Sequence, residues 1–238
     1  MEYITYAGEP AIDTSWAEKL KSLKQDDHLH LMTKNPGAFI KSKLEYAITQ
    51  HKDKITIYSC ITGYGKSAVE PGVTTTLAAM MSTKYLMDQG FDVVLYIKPI
   101  FPTTFGFQNV MEVIDTARRQ FGSLKDLRIQ FDFIERIENE DDRGLEYPWV
   151  TEEFEGLPTA DNPELNIVSC STIVDYFKSI EEKEGAMIST TNTSVHIEAW
   201  HPNKVQYFEF LEGDDVYRQC QYKCRYCNMA DHITEENV

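Results

Sequence analysis

The order of apolar runs along this chain predicts an α/β fold of mostly parallel strands in one barrel-type domain. Three observations lead there. Five times an apolar, β-branched run precedes a segment with helical or near-helical periodicity, the signature of parallel β-α units. The chain has 238 residues, enough for one barrel-type domain with a sizeable core. No internal repeat or low-complexity linker interrupts it, so 1–238 reads as a single domain with an acidic, irregular segment at about 135–164.

The elements follow in chain order. Asp13 to Leu23 has the pattern of a helix. His28 to Met32 is the first strand, and it leads into a helix from Pro36 to Gln50, with Asn35 placed to cap it and Pro36 suited to the first helical position. Ile55 to Ile61 is the second strand, followed by a glycine-bearing loop and a helix from about Thr74 to Gln89, stopped by Gly90. Phe91 to Ile97 is the third, leading through Pro99, Pro102 and Gly106 to a helix from Gln108 to Phe121, stopped by Gly122. Leu127 to Ile134 is the fourth and Leu165 to Cys170 the fifth, after which Ser171 or Thr172 caps a helix through Glu184 that ends at Gly185. Thr193 to Ala199 and Val205 to Leu211 read either as a hairpin or as the last two barrel strands.

Composition bounds the function. Apolar residues make up 42% and aromatics 12%, as in an ordinary globular chain. No apolar run approaches a membrane span, and Met1-Glu2-Tyr3 shows no basic flank or signal core, so the expectation is a cytoplasmic protein with no membrane partner. The formal net charge of -15 opposes a long footprint on a phosphate backbone. The charge is uneven: residues 132–164 hold twelve Asp or Glu against Arg136 and Arg143, whereas Arg218, Lys223 and Arg225 surround a cysteine cluster. The acidic run reads as a solvated loop.

That cluster, Cys220-Gln221-Tyr222-Lys223-Cys224-Arg225-Tyr226-Cys227, carries the most chemistry. Three thiolates at C-x3-C-x2-C spacing can ligate three irons of a [4Fe-4S] cluster and leave the fourth open to a small molecule. The alternative is zinc, with His232 completing a Cys3His set in a non-catalytic partner-binding protein. Cys60 and Cys170 lie in apolar runs and read as buried strand thiols without chemistry. Cys60 to Ser67 imitates a phosphate-binding loop, but Cys60 stands where the first glycine belongs and Glu70-Pro71-Gly72 intervenes where a helix should begin at once. His28 and His30, like His196 and Glu198, alternate along strands and read as satisfied side chains.

In parallel barrels the active groups collect in loops leaving the C-terminal ends of strands. Here those loops are Thr33 to Pro36, Thr62 to Ser67, Lys98-Pro99 and the cysteine loop. Cys220 to Cys227, with Tyr226 before the last cysteine, resembles the cluster motif of radical S-adenosylmethionine enzymes. Leu31 to Pro36, Cys60 to Gly65 with Glu70-Pro71, and Val93 to Ile100 resemble, in order, strand-end motifs of an uncharacterised bacterial family related to spore photoproduct lyase. In that family the cysteine triad is also C-terminal, so the resemblance implies a circularly permuted partial barrel. It further implies Cys220, Cys224 and Cys227 as ligands of a [4Fe-4S] cluster, S-adenosyl-L-methionine with Tyr226 against its adenine, and a reductant such as flavodoxin or ferredoxin. Thr33, Asn35, Thr62, Gly63 and Gly65 become candidates for the cofactor shell, and Lys98 could meet a carboxylate or phosphate. The implied substrate is a small molecule, nucleobase, nucleotide or nucleic acid. A degenerate barrel that keeps a structural or redox cluster is the remaining alternative.

Overall fold

Among the described residues seven parallel strands form one sheet in the order β6-β5-β4-β3-β2-β1-β7, which does not close. The computed structural model describes residues 3–6, 9–12, 16–24, 27–67, 70–101, 103–133, 168, 170–190 and 205–208. The strands are β1 Tyr3–Tyr6, β2 His28–Thr33, β3 Ile55–Cys60, β4 Asp92–Ile100, β5 Arg128–Phe133, β6 Met187–Ser189 and β7 Val205–Phe208. The helices are α1 Trp16–Ser22, α2 Lys43–Thr49, α3 Thr76–Asp88, α4 Thr104–Phe121 and α5 Cys170–Glu184. All six pairings are parallel, so every strand ends at the same edge of the sheet.

Strands β1 to β6 lie side by side in chain order. Right-handed crossovers between strands added in one direction place every helix on one face. The core shows this. Leu29, Leu31, Ile55, Ile57 and Val93 pack against Trp16 of α1, Ile48 of α2 and Leu86 of α3. Leu95, Ile97, Ile129, Phe131 and Ile188 pack on Met80 of α3, Val113 of α4 and Phe177 of α5. Register ties the two clusters to one face, since Leu31 pairs with Ile57, Ile57 with Val93, Leu95 with Ile129, and Ile129 with Ile188. Phe131 and Phe177 stack with ring centroids 4.1 Å apart and planes 2° from parallel.

The opposite face is polar and aromatic. His28 and His30 of β2, Thr56, Tyr58 and Cys60 of β3, Tyr96 of β4, and Gln130 and Asp132 of β5 alternate with the core residues and fall there. Among the described residues no helix packs on it.

Local chemistry explains where the observed elements depart from the expected ones. The helix expected over Pro36 to Gln50 divides into a 3-10 turn, Pro36–Phe39, and α2, because Lys41 turns left-handed (φ 52) and Ser42 restarts the chain by accepting from Leu44 and Glu45 N–H. Asn35 starts the 3-10 turn without a side-chain cap bond. α4 begins at Thr104 rather than Gln108, because Thr103 caps it and Gly106 is a packing residue rather than a break: a Cβ there would lie 2.1 Å from Phe101 O. β4 continues past Ile97 through Pro99, whose missing donor falls at a register shift between Ile97 and Ile100. Cys170, expected to end a strand, is the first residue of α5, whose Ile173, Val174, Phe177 and Ile180 recur at helical spacing. Leu165 to Ile167 and Thr193 to Ala199 lie outside the described residues. Val205–Phe208 is β7, parallel to β1. The strands β1 and β6 were not expected from the sequence.

Candidate functional site at the strand ends

A connected polar network occupies the C-terminal ends of β1, β2 and β3. Glu9, just beyond β1, is 6% exposed, yet among the described residues its carboxylate reaches no cationic side chain by hydrogen bond. Its Oε1 accepts from Thr33 Oγ1 at 2.6 Å and Ala11 N at 3.1 Å, and its Oε2 accepts from Lys34 N at 3.0 Å. All three donors are neutral. Burial raises the Glu9 carboxyl above its ordinary value, against the lowering effect of those donors and of the Lys34 charge. Thr33 Oγ1 also accepts from Asn35 N at 2.9 Å, fixing the turn that follows β2.

Lys34 joins this group to the β3–α3 loop. Its Nζ donates to Glu70 Oε1 at 2.5 Å, while Thr62 Oγ1 donates to Glu70 Oε2 and accepts from Tyr64 N at 3.2 Å. Glu70 is 2% exposed and also holds the loop through its backbone, accepting from Lys66 N and Val73 N. The loop explains two of the glycines singled out in the sequence. Gly63 has φ +83, and a Cβ there would lie 2.9 Å from Asn109 Cβ; a Cβ on Gly65 would lie 1.9 Å from Thr74 O. The close approach each glycine permits is to the chain itself. The loop also departs from a phosphate-binding loop, since Lys66 turns left-handed (φ 66) and α3 starts only at Thr76.

Cys60 ends β3 on the polar face, paired in register with Tyr96. Burial pushes its thiol up to about 12, and Lys34, Glu9, Lys98 and Glu70 all lie close enough to influence it. Thr33, Lys34, Thr62, Glu70 and Lys98 are thereby brought to one edge around Glu9 and Cys60. Beside them, on β4 to β6, Tyr96 donates to Asp132 Oδ2 and Thr190 Oγ1 donates to Asp132 Oδ1 at 2.8 Å, with Asp132 wholly buried. Burial, then the Asp132 charge, holds the Tyr96 phenol well above its ordinary value, so it stays protonated. Rings continue from Tyr96 to Tyr58 and His30, with centroids 5.9 and 5.1 Å apart. At the other end of the strands His28 Nε2 lies 2.8 Å from Thr56 Oγ1, which donates to Asp92, so His28 is engaged as the sequence suggested.

Cys220, Cys224, Tyr226, Cys227 and His232 lie outside the described residues. Among the described residues no group of three His, Cys, Asp or Glu side chains could hold a metal, and no helix is long and apolar enough to cross a membrane. Sequence reasoning missed Glu9, Glu70 and Asp132. A signal for Glu9 existed: Gly8-Glu9-Pro10 directly follows the β-prone Tyr3-Ile4-Thr5-Tyr6, but with that strand unrecognised the acid had no strand end to occupy. Comparison of the chain with protein-family models, with curated proteins and with solved structures finds no match.

Proposed function

We propose that this chain is a radical S-adenosylmethionine enzyme, with Cys220, Cys224 and Cys227 holding a [4Fe-4S] cluster and the ends of β1 to β4 holding S-adenosyl-L-methionine and substrate. The observation that carries the reading is Glu9. A buried carboxylate served, among the described residues, by neutral hydrogen bonds, and raised by its burial, is a site that gains from a cationic ligand group. The ammonium of S-adenosyl-L-methionine supplies such a group.

Topology supports the same reading. β7 is parallel to β1, so the chain leaves β7 at the edge that carries Glu9, Thr33 and Thr62, and Cys220 follows Phe208 by twelve residues. The last described strand in sequence thus sits ahead of the first described one in the sheet, as expected of a circularly permuted barrel. The chemistry this cofactor pair supplies when bound is one-electron cleavage of a sulfonium and hydrogen abstraction from a substrate. The chain's own part is placement. Glu9 orients the amino-acid end, Thr33 and Lys34 N–H hold Glu9, the Lys34–Glu70–Thr62 bridge fixes the loop beside it, and the hydrogen-bonded Tyr96–Asp132 pair bounds the neighbouring polar face.

The test is anaerobic reconstitution with iron and sulfide, followed by S-adenosyl-L-methionine and dithionite, with 5′-deoxyadenosine measured beside a Cys224→Ala control. About four irons per chain and Cys224-dependent 5′-deoxyadenosine are expected. One zinc per chain and no 5′-deoxyadenosine would replace the reading with a Cys3His partner-binding protein, and cluster without product would replace it with a degenerate barrel.

A further inference from the structure

We infer that one buried water completes the junction between the β3–α3 loop and α4, held by the Tyr64 hydroxyl and the Asn109 carboxamide. Both side chains are more than nine-tenths buried, Tyr64 at 3% exposure and Asn109 at 8%. Among the described residues the Tyr64 hydroxyl and Asn109 Nδ2 have no hydrogen-bond partner, so the two do not bond each other directly. Native interiors leave few such groups unpaired, because each forfeits its hydration without replacement.

Backbone and ring geometry bring the two groups to one place. Gly63 turns left-handed (φ +83) and lays the loop on α4, where a Cβ would lie 2.9 Å from Asn109 Cβ and 3.4 Å from its Cγ. Tyr64, the next residue, packs its ring against Phe105 with centroids 5.8 Å apart and against Phe101 at 5.3 Å. Phe105 precedes Asn109 by four residues and so shares its face of α4. Turning the Tyr64 hydroxyl out to solvent would break both ring contacts. Burial raises the Tyr64 phenol above its ordinary value, and the Asn109 carboxamide acts in the opposite sense.

The chemistry of the pair selects water. Nδ2 only donates, whereas a hydroxyl donates and accepts, so a water that accepts from Nδ2 can exchange a hydrogen bond with the hydroxyl and serve both. An anion could also accept from both donors. Among the described residues, however, no cationic side chain bonds either group, and an unpaired buried charge costs far more than a water. The bridged loop is the one that carries Thr62 and Glu70, so the water also steadies the bonds from Lys34 and Thr62 to Glu70.

A high-resolution crystal structure of the full chain, together with a double-mutant cycle, tests this. One ordered water within hydrogen-bonding distance of both the Tyr64 hydroxyl and Asn109 Nδ2 is expected. Tyr64→Phe or Asn109→Leu alone should lower the melting temperature by about 2–4 °C and speed trypsin cleavage at the exposed Lys66 about three- to tenfold. The double variant should lose less than the sum of the two, since either substitution alone already removes the bridge. A direct Tyr64–Asn109 hydrogen bond, separate partners for the two groups, unchanged single variants or strictly additive losses would each overturn the inference. None of these readouts depends on a cluster or on S-adenosyl-L-methionine, so they stand apart from the proposed activity.

Discussion

Replacing Glu9 by glutamine separates its structural work from its proposed role. The carboxylate holds two donors on Oε1 and one on Oε2. Glutamine can keep its carbonyl oxygen toward Thr33 and Ala11, which turns its NH2 onto the Lys34 N–H and orphans one buried donor. Such an orphan costs about 1–3 kcal/mol. Removing a charge that burial disfavours offsets part of this, so the net loss is about 1–2 kcal/mol, a fall in melting temperature of roughly 2–8 °C for a chain of this size. Glu9→Ala leaves both backbone N–H groups and the Thr33 hydroxyl without it and costs about 2–6 kcal/mol. A charge-assisted bond to an ammonium contributes about 1.5–3 kcal/mol, so Glu9→Gln should weaken S-adenosyl-L-methionine binding to the reconstituted protein roughly 10- to 150-fold, measured by equilibrium dialysis. The pH dependence has a definite sign. Because the folded value of Glu9 is raised, the folded state holds its proton more tightly than the unfolded state. The stability this contributes is present below the unfolded carboxylate value and is lost as pH rises through the folded value. The stability gap between wild type and Glu9→Gln is therefore larger at pH 4 than at pH 8. Cofactor affinity unchanged in Glu9→Gln, or a gap that widens with pH, would refute the reasoning.

Other expectations follow from the packing and the loop. Phe177→Ala empties one half of the stacked pair at the centre of the α5 interface and should cost about 3–5 kcal/mol in urea unfolding; a loss under 1 kcal/mol would mean that α5 does not pack as described. Gly65→Ala forces a methyl against the Thr74 carbonyl and should cost about 1–3 kcal/mol while speeding cleavage of the native chain by trypsin at the exposed Lys66; unchanged melting and cleavage would contradict the close approach. With its thiol pushed up to about 12, native Cys60 should be alkylated by iodoacetamide at pH 8 about a thousandfold more slowly than a free thiol, read by peptide mass mapping. Labelling at the rate of the urea-unfolded chain would show that the strand end is open.

Much of the fold was legible because the strands β2 to β5 are buried on both faces and long enough to show as apolar, β-branched runs, with helices between them bounded by Ser, Thr and Gly. What escaped was short or locally overruled. β1 has four residues and β6 three, too few to display a period, and their place in the sheet depends on pairing partners remote in sequence. The glycine at 106 and the proline at 99 looked like breaks, yet one permits close packing inside a helix and the other sits at a bulge within a strand. The site divided in the same way. Thr33, Thr62 and Lys98 could be placed at strand ends from the spacing of the strands alone. Glu9, Glu70 and Asp132 could not, since each is a buried acid in a chain full of solvated ones, and only three-dimensional contact distinguishes them.

The direction of strand addition decides which face of this sheet can be functional. A doubly wound sheet reverses its strand order, places helices on both faces and opens a crevice at the reversal. Strands β1 to β6 never reverse, and the five described helices share one face. A ligand site of the doubly wound kind is therefore absent between these strands. The side on which no described helix packs carries instead buried groups that no apolar core would select, Thr56, Gln130, Asp132 and His30 among them. Burying polar side chains costs free energy unless each is hydrogen-bonded, and for Asp132 the bonds from Tyr96 and Thr190 meet that cost within the chain. A sheet face assembled this way suits the proposed contact with cofactor and substrate. Strand polarity sets the proposed contact at one edge, where Glu9, Cys60 and Lys98 converge and at which β7 also ends.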